Sequence, residues 1–159
     1  MRSSIELGMK AFCLSLAFIS TLGAVDYHKT NPEAWKASTL NSAAIALYGE
    51  QEFSTIKQSL NMELIVPTAM VQDSTQIPIR IRSNIPAKSV ALFIDRQDTV
   101  LAAVFYRNDF EKFDLSVNIR MERKGTVFAV IEAMNGVLYY RRAFIDVLCL
   151  PCMAKGASN

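Results

Sequence analysis

The chain has 159 residues, about the length of one domain. Hydrophobic residues make up 51% of it and charged residues 20%, which argues for a packed core and against disorder. Lys and Arg number 17 against 15 Asp and Glu, so the composition provides no basic surface for nucleic acid. One His and six Gly are too few for a His-based catalytic triad and a glycine-rich phosphate loop.

Residues 1–24 have the three parts of a secretory signal peptide, namely a basic start, an apolar run over residues 11–22 and a small-residue exit. The apolar run is shorter than the roughly 20 residues of a membrane span, although an uncleaved anchor stays open as the alternative. Because there is no twin-arginine pair, we predict a Sec-type signal cleaved after Ala24, a periplasmic location and no membrane segment in the mature protein.

Signal cleavage decides which cysteines are available for chemistry. Cys13 leaves with the signal, and Cys149 and Cys152 remain in a compartment where disulfides form. A zinc site would need two more ligands, and beyond these cysteines the mature chain offers only His28 as a nitrogen ligand. We therefore predict no metal site.

Residues 25–58 are predicted to form an N-terminal helical segment. Asn31, or the threonine before it, can cap a helix, and Pro32 suits the first turn. Apolar residues then recur at helical spacing until Gly49 ends the run. A second short helix is predicted over residues 51–58. The apolar stripe of the first helix should pack on the domain itself or on a partner chain.

From Leu60 the hydrophobic period changes to two residues, which predicts β-strands. Turn signals separate the strands about every ten residues, and Asn135-Gly136 predicts a two-residue hairpin. The fold class is therefore predicted to be mainly β, an Ig-like antiparallel β-sandwich of about seven strands over residues 59–149. The predicted strand at 126–134 is apolar on both faces, as are residues 100–107 and 137–140, so a second buried face should contact the N-terminal helix or a partner. The strands are predicted at residues 60–66, 77–82, 89–95, 100–107, 113–122, 126–134 and 137–149.

The candidate site is the C-terminal tail, residues 150–159, which is predicted to be flexible and to bear Cys152. Strand alternation places Cys149 on the same face as Val147, so we predict an inward, inert thiol there. Cys152 comes after the predicted strand end near Pro151, which favours an exposed and reactive thiol. Two cysteines at this spacing equally suit a disulfide, and the spacing does not decide between the two states.

The order and spacing of these segments resemble SoxY, the sulfur-carrier subunit of the bacterial periplasmic thiosulfate-oxidising (Sox) system. The similarity covers about residues 35–152 and rests on many short matches. The matching segments are 64–67 and 76–81 for the paired early strands, 89–94 and 100–105 for the central hairpin, and 115–121, 127–131 and 136–139 for the closing strands.

The resemblance implies a carrier protein rather than an enzyme. In the family, a cysteine in a Gly-Gly-Cys-Gly-Gly end holds sulfur intermediates covalently while partner enzymes attach, oxidise and hydrolyse them. It implies a covalent sulfur or thiosulfonate adduct on Cys152 instead of a cofactor, with Cys149 as an auxiliary thiol or disulfide partner. It also implies a heterodimer with a SoxZ-like sandwich subunit. The further partners would be a sulfur-transferring cytochrome, a sulfate-releasing hydrolase and a sulfur dehydrogenase.

The tail differs from the family pattern around Cys152. Leu150-Pro151 precede it and Met153-Ala154 follow it, where the family has glycines, and the chain continues for seven residues beyond it. These differences leave a second function open, a divergent binding or scaffold subunit of a sulfur-oxidation complex. A thiol-disulfide oxidoreductase ranks third, because its motif normally opens a helix after a strand.

Overall fold

The structure, a computed structural model, describes residues 27–95, 97–106 and 113–148. In these ranges four short helices and eight strands follow one another. The helices are α1 (Tyr27–Thr30), α2 (Pro32–Lys36), α3 (Leu40–Tyr48) and α4 (Glu50–Ser54). The strands are β1 (Lys57–Gln58), β2 (Met62–Ile65), β3 (Ile77–Ser83), β4 (Ala87–Ile94), β5 (Leu101–Tyr106), β6 (Phe113–Ile119), β7 (Gly125–Ala133) and β8 (Leu138–Ile145).

The strands form two sheets, a five-stranded sheet in the order β1-β8-β7-β4-β5 and a three-stranded sheet in the order β2-β3-β6. All neighbouring strands are antiparallel except β1 and β8, which are parallel. This arrangement confirms the mainly-β, Ig-like sandwich. The seven predicted strands correspond to β2–β8, and β1 is an additional strand where the sequence predicts the end of the second helix.

The N-terminal segment is helical as predicted, but it is divided. Pro32 begins α2, and the chain becomes extended at Ala37 (φ −67°, ψ 135°), so one predicted helix is two. Thr39 caps α3 with its side chain, whereas Asn31 caps α2 without a side-chain hydrogen bond. Gly49, at φ 95°, ends α3 as predicted. In the part of the chain that the structure describes, no helix is both long enough and apolar enough to cross a bilayer.

The central strands of the five-stranded sheet, β4 and β7, are largely buried on both faces. The inner face of the sheet packs on the three-stranded sheet and forms the main core, in which Leu92 of β4 and Ile131 of β7 are fully buried. Its outer face packs on the helices and forms the outer cluster, in which Phe93 and Val130 meet Ala44 of α3. This confirms that the predicted strand at 126–134 uses its second apolar face against the N-terminal helices.

The hairpin between β7 and β8 has a three-residue loop, so the prediction of a two-residue loop is wrong. Gly136 N–H donates to Ala133 O at 2.9 Å, and Ala133 N–H donates to Val137 O at 3.0 Å. Gly136 has φ 81°, which is the left-handed conformation of the residue that follows a β-turn in such loops. Asn135 lies within the turn, so the dipeptide marks the hairpin without fixing its length.

The outer face of the three-stranded sheet carries a cross-strand ion pair. Arg80 donates two hydrogen bonds to the Asp114 carboxylate, both at 2.7 Å, and Arg82 lies 3.4 Å from the same carboxylate. All three side chains are nearly half exposed, so this face of the sheet is in contact with solvent. The hydrogen bonds from Arg80 lower the pKa of Asp114 below its ordinary value of 3.8.

This lowered pKa predicts how stability changes with pH. The folded protein favours ionised Asp114, so the ion pair stabilises the fold above pH 3.8, and this contribution is lost as the pH falls through the lower folded value. Between about pH 5 and pH 3, we expect the free energy of unfolding of Asp114→Asn, measured by urea unfolding, to fall less than that of the wild type. Arg80→Gln should behave similarly. Identical pH dependence in all three proteins would contradict the assignment.

Candidate functional site

Both cysteines of the predicted site, Cys149 and Cys152, lie outside the described residues, which end at Leu148. The structure therefore tests the strand that leads to the thiols. Ile145 is fully buried and Val147 is 5% exposed, and both belong to the main core. The alternation of buried and partly buried residues, which predicts an inward Cys149, continues as far as Val147. The states of the two thiols themselves stay predictions.

The chain beyond β8 is held by Val71, in the loop that joins β2 to β3. Val71 N–H donates to Asp146 O at 2.8 Å, and Leu148 N–H donates to Val71 O at 2.9 Å. These bonds form an isolated parallel bridge between Val71 and Val147. We call Val71 and residues 146–148 the tail anchor. It is fixed both by its backbone and by the buried Val147 side chain.

The tail anchor corrects the predicted end of the last strand. The sequence predicts a strand over 137–149, whereas β8 ends at Ile145. The antiparallel partner β7 begins at Gly125, which pairs with Ile145, so β8 has no neighbour on that side beyond this point. The segment that follows is held from its other edge, by Val71. In the local sequence, the only feature that marks the contact made by Val71 is the short apolar run Ala69-Met70-Val71 between polar residues.

Three turns lie at the same end of the sandwich as the tail anchor. The β2–β3 loop reaches the β6–β7 turn, where Met121 N–H donates to Ser74 O at 2.9 Å. The β6–β7 turn also reaches the β4–β5 turn, where Glu122 N–H donates to Gln97 Oε1 at 3.4 Å. Because the turns are joined to one another as well as to their strands, the tail begins from a hydrogen-bonded platform.

Asp95 joins two strands of this platform. Thr126 N–H donates to the Asp95 side chain, and Asp95 N–H donates to Thr126 O at 3.0 Å. Gly125 makes this close approach possible, because a Cβ atom there would lie 2.6 Å from Asp95 Oδ1. Asp95 therefore joins the end of β4 to the start of β7.

At this end of the sandwich the Asp73 carboxylate shapes the β2–β3 loop. Asp73 accepts hydrogen bonds from the backbone and the hydroxyl of Thr75, at 2.9 and 2.6 Å, and these bonds lower the pKa of Asp73. In residues 27–95, 97–106 and 113–148, no three His, Cys, Asp or Glu side chains come close enough to hold a metal ion. The hydrogen-bonded turns at this end therefore support the residues that lead to the tail.

A comparison with protein-family models decides which family carries this arrangement. Residues 46–152 match the family described as sulfur oxidation protein SoxY. The chain belongs to the SoxY family. The match ends at Cys152, as does the resemblance seen in the sequence, and it begins eleven residues later than the resemblance at residue 35.

A solved SoxY structure agrees with the fold of this SoxY-family chain. The chain is similar to the sulfur carrier protein SoxY from Chlorobium limicola f thiosulfatophilum, with a TM-score of 0.60 and 22% identity over 70% of this chain and 97% of that chain. It is also similar to a superoxide reductase (neelaredoxin) from Ignicoccus hospitalis, with a TM-score of 0.45 and 12% identity over 55% and 80% of the two chains. No curated protein matches the chain.

Membership of this family relates the chain to sulfur oxidation. The described residues account for the framework of the protein. They end at the tail anchor, at the end of the sandwich where the β2–β3, β4–β5 and β6–β7 turns meet.

The tail anchor predicts a local effect of removing one hydrogen bond. Val71→Pro lacks the N–H that donates to Asp146 O, whereas Val71→Ala keeps both backbone bonds. We expect exchange of the Leu148 amide with deuterium to become about tenfold faster in Val71→Pro, because local opening then costs less. Amides of β4 and β7 should be unaffected. An unchanged Leu148 amide would show that the bridge does not hold the tail.

The contact of Gly125 with Asp95 predicts a steric cost. Gly125→Ala should destabilise the fold by about 2 kcal/mol, because the new Cβ displaces the Asp95 carboxylate from Thr126 N–H. Urea unfolding measures this cost. In an Asp95→Ala background the same substitution should cost less, since the clashing carboxylate is gone. Equal costs in both backgrounds would refute the steric explanation.

Proposed function

We propose that this protein is a periplasmic carrier that holds sulfur intermediates of thiosulfate oxidation covalently on Cys152. The observation that carries the proposal is the extent of the family match, which runs beyond the last strand to residue 152. The similarity thus includes the tail and ends on a thiol. The sulfur-carrier description of the similar SoxY structure supports the same role.

The tail anchor suits a carrier whose framework stays fixed while the thiol moves. Cys152 lies four positions after Leu148 in the chain, and an extended chain advances at most about 3.6 Å per residue. The Cα atom of Cys152 therefore stays within about 14 Å of the Cα atom of Leu148. That distance suffices to enter a cleft in a partner enzyme, provided that the partner docks against the tail-anchor end of the sandwich.

Loading would form one sulfur–sulfur bond. The Cys152 thiolate and the outer sulfur of thiosulfate combine into Cys–S–S–SO₃⁻, and the two electrons released pass to the sulfur-transferring cytochrome. Hydrolysis by the sulfate-releasing partner adds water across the terminal S–S bond, which releases hydrogen sulfate and leaves a persulfide on Cys152. The sulfur dehydrogenase then oxidises the outer sulfur of that persulfide: three water molecules supply the oxygen atoms of Cys–S–SO₃⁻, and six electrons pass to the dehydrogenase and six protons to solvent. The carrier contributes the thiol and its position, and the partners contribute the catalysis.

A SoxZ-like sandwich subunit is the proposed partner in a heterodimer. The described strands leave β5 at one edge of the five-stranded sheet and β6 at one edge of the three-stranded sheet. Phe105, Leu115 and Val117 on these strands pack on the main core but keep part of their surface exposed. Edge strands with partly exposed apolar side chains support contact with a second sandwich.

A divergent scaffold subunit is the second candidate, and the residues around Cys152 favour it. Pro151 fixes its own φ and also restricts Leu150, so the tail is stiffer than one made of glycines. Cys149 could also remove the free thiol by forming a disulfide with Cys152. A scaffold would keep the sandwich and its partner contacts but would carry no sulfur.

Mass spectrometry of the intact protein from cells oxidising thiosulfate distinguishes the two functions. We expect sulfur or thiosulfonate adducts on the wild type that disappear with reductant. Cys152→Ser should abolish the adducts and stop thiosulfate oxidation, whereas the matched control Cys149→Ser should retain both. An unmodified Cys152, a permanent Cys149–Cys152 disulfide, or full activity of Cys152→Ser would instead favour the scaffold.

A further inference from the structure

The outer cluster encloses a cavity of about 280 Å³ between the helices and the five-stranded sheet. On the helix side it is lined by Phe53 of α4 and Ile56 after it, and on the sheet side by Phe128, Tyr140 and Arg142. The sandwich core does not include this space, because the cavity lies on the outer face of the sheet. It is also separate from the tail anchor, which belongs to the main core.

The walls of the cavity are mostly apolar and remain reachable from solvent. Phe53, Ile56 and Phe128 are only partly buried although they pack on the outer cluster, so the space between them opens to the surface. A concave apolar pocket with a few polar groups at defined positions is the usual form of a small-molecule site. The volume is close to the lower end of the range of such sites, roughly 300–1,000 Å³, which suits a single short chain.

Arg142 supplies the one cation of the lining. It lies opposite Phe128 in the β7–β8 register, on the face of β8 turned toward the helices. No carboxylate of the described residues forms an ion pair with Arg142. The acidic residues nearest in sequence to the helix wall of the cavity are Glu50 and Glu52 of α4, and both are exposed. An exposed guanidinium beside an apolar cavity favours an anionic head group on an apolar ligand.

We propose that this cavity binds a single-chain organic anion, a medium-chain carboxylate or sulfonate, with the chain between α4 and β7 and the head group on Arg142. Two-chain lipids exceed the volume, and neutral alcohols leave the guanidinium without its partner. The proposal is independent of the sulfur-carrier function, since it uses neither cysteine and lies on the opposite side of the five-stranded sheet from the main core.

Trp35 gives a local readout for ligand binding. It is the one tryptophan of the chain, and it packs against the outer cluster. Titration of the full chain with octanoate and with octanesulfonate should change its fluorescence, with a dissociation constant on the order of 1 mM for a ligand of this size. Octanol, which has the same chain without the charge, should bind about tenfold more weakly.

Two variants locate the site. Arg142→Gln should weaken octanoate binding about tenfold and leave octanol unchanged, whereas the matched control Arg141→Gln, on the other face of β8, should leave both unchanged. Ala44→Leu fills the cavity from α3 and should abolish binding of every probe. Thermal unfolding of each variant establishes that the fold is retained. If Ala44→Leu unfolds, a competition experiment in the wild type takes its place. Octanoate and octanesulfonate are expected to displace each other, because both should bind at one shared site.

Three results would overturn the proposal. They are the absence of binding of either anion up to about 10 mM, equal binding of octanol and octanoate, and full binding to a folded Ala44→Leu. None of them bears on Cys152, so this inference and the carrier function can fail separately.

Discussion

The burial of β4 and β7 on both faces is the constraint on which the other layers depend. Leu92 points into the main core and its neighbour Phe93 into the outer cluster, because successive side chains of a strand alternate. With both faces apolar, polarity alone cannot set the register of this pair. The register is instead fixed at its ends, where Asp95 bonds to Thr126 and Met134 N–H donates to Pro86 O at 2.9 Å.

The parts of the fold that could be predicted are those in which the type of a residue, apolar or polar, indicates whether it faces the core or the solvent. The alternation over residues 113–122 predicts β6, since its strand has one inner and one solvated face. The break at Ala37 has no such signal, because alanine favours helix and the extended backbone is stabilised by a distant donor, Val100 N–H, at 3.3 Å. The Val71–Val147 bridge joins loops far apart in sequence, so local patterns do not reveal it.

The candidate site divides in the same way. The sequence identifies Cys152 as the distinctive thiol, since residue type and position after the last strand are local facts. It does not identify the tail anchor, which decides where the tail begins. Leu150-Pro151 then limit the directions in which Cys152 can be presented, because proline fixes φ near −65° and restricts the residue before it. The side chains of the sandwich must pack against one another, whereas the only requirement on the tail is that a partner can reach it.

The parallel contacts on β8 also have a mechanical consequence. β8 is hydrogen-bonded to β7 along one edge and to β1 along the other, and Val71 holds residues 146–148, which follow it. A force applied to the tail by a binding partner runs along the strand axis, roughly across these bonds, so that many of them resist it together rather than one after another. The last strand therefore resists shear. Strain caused by the docking of a partner should stop at Val147 and should not spread into the sandwich.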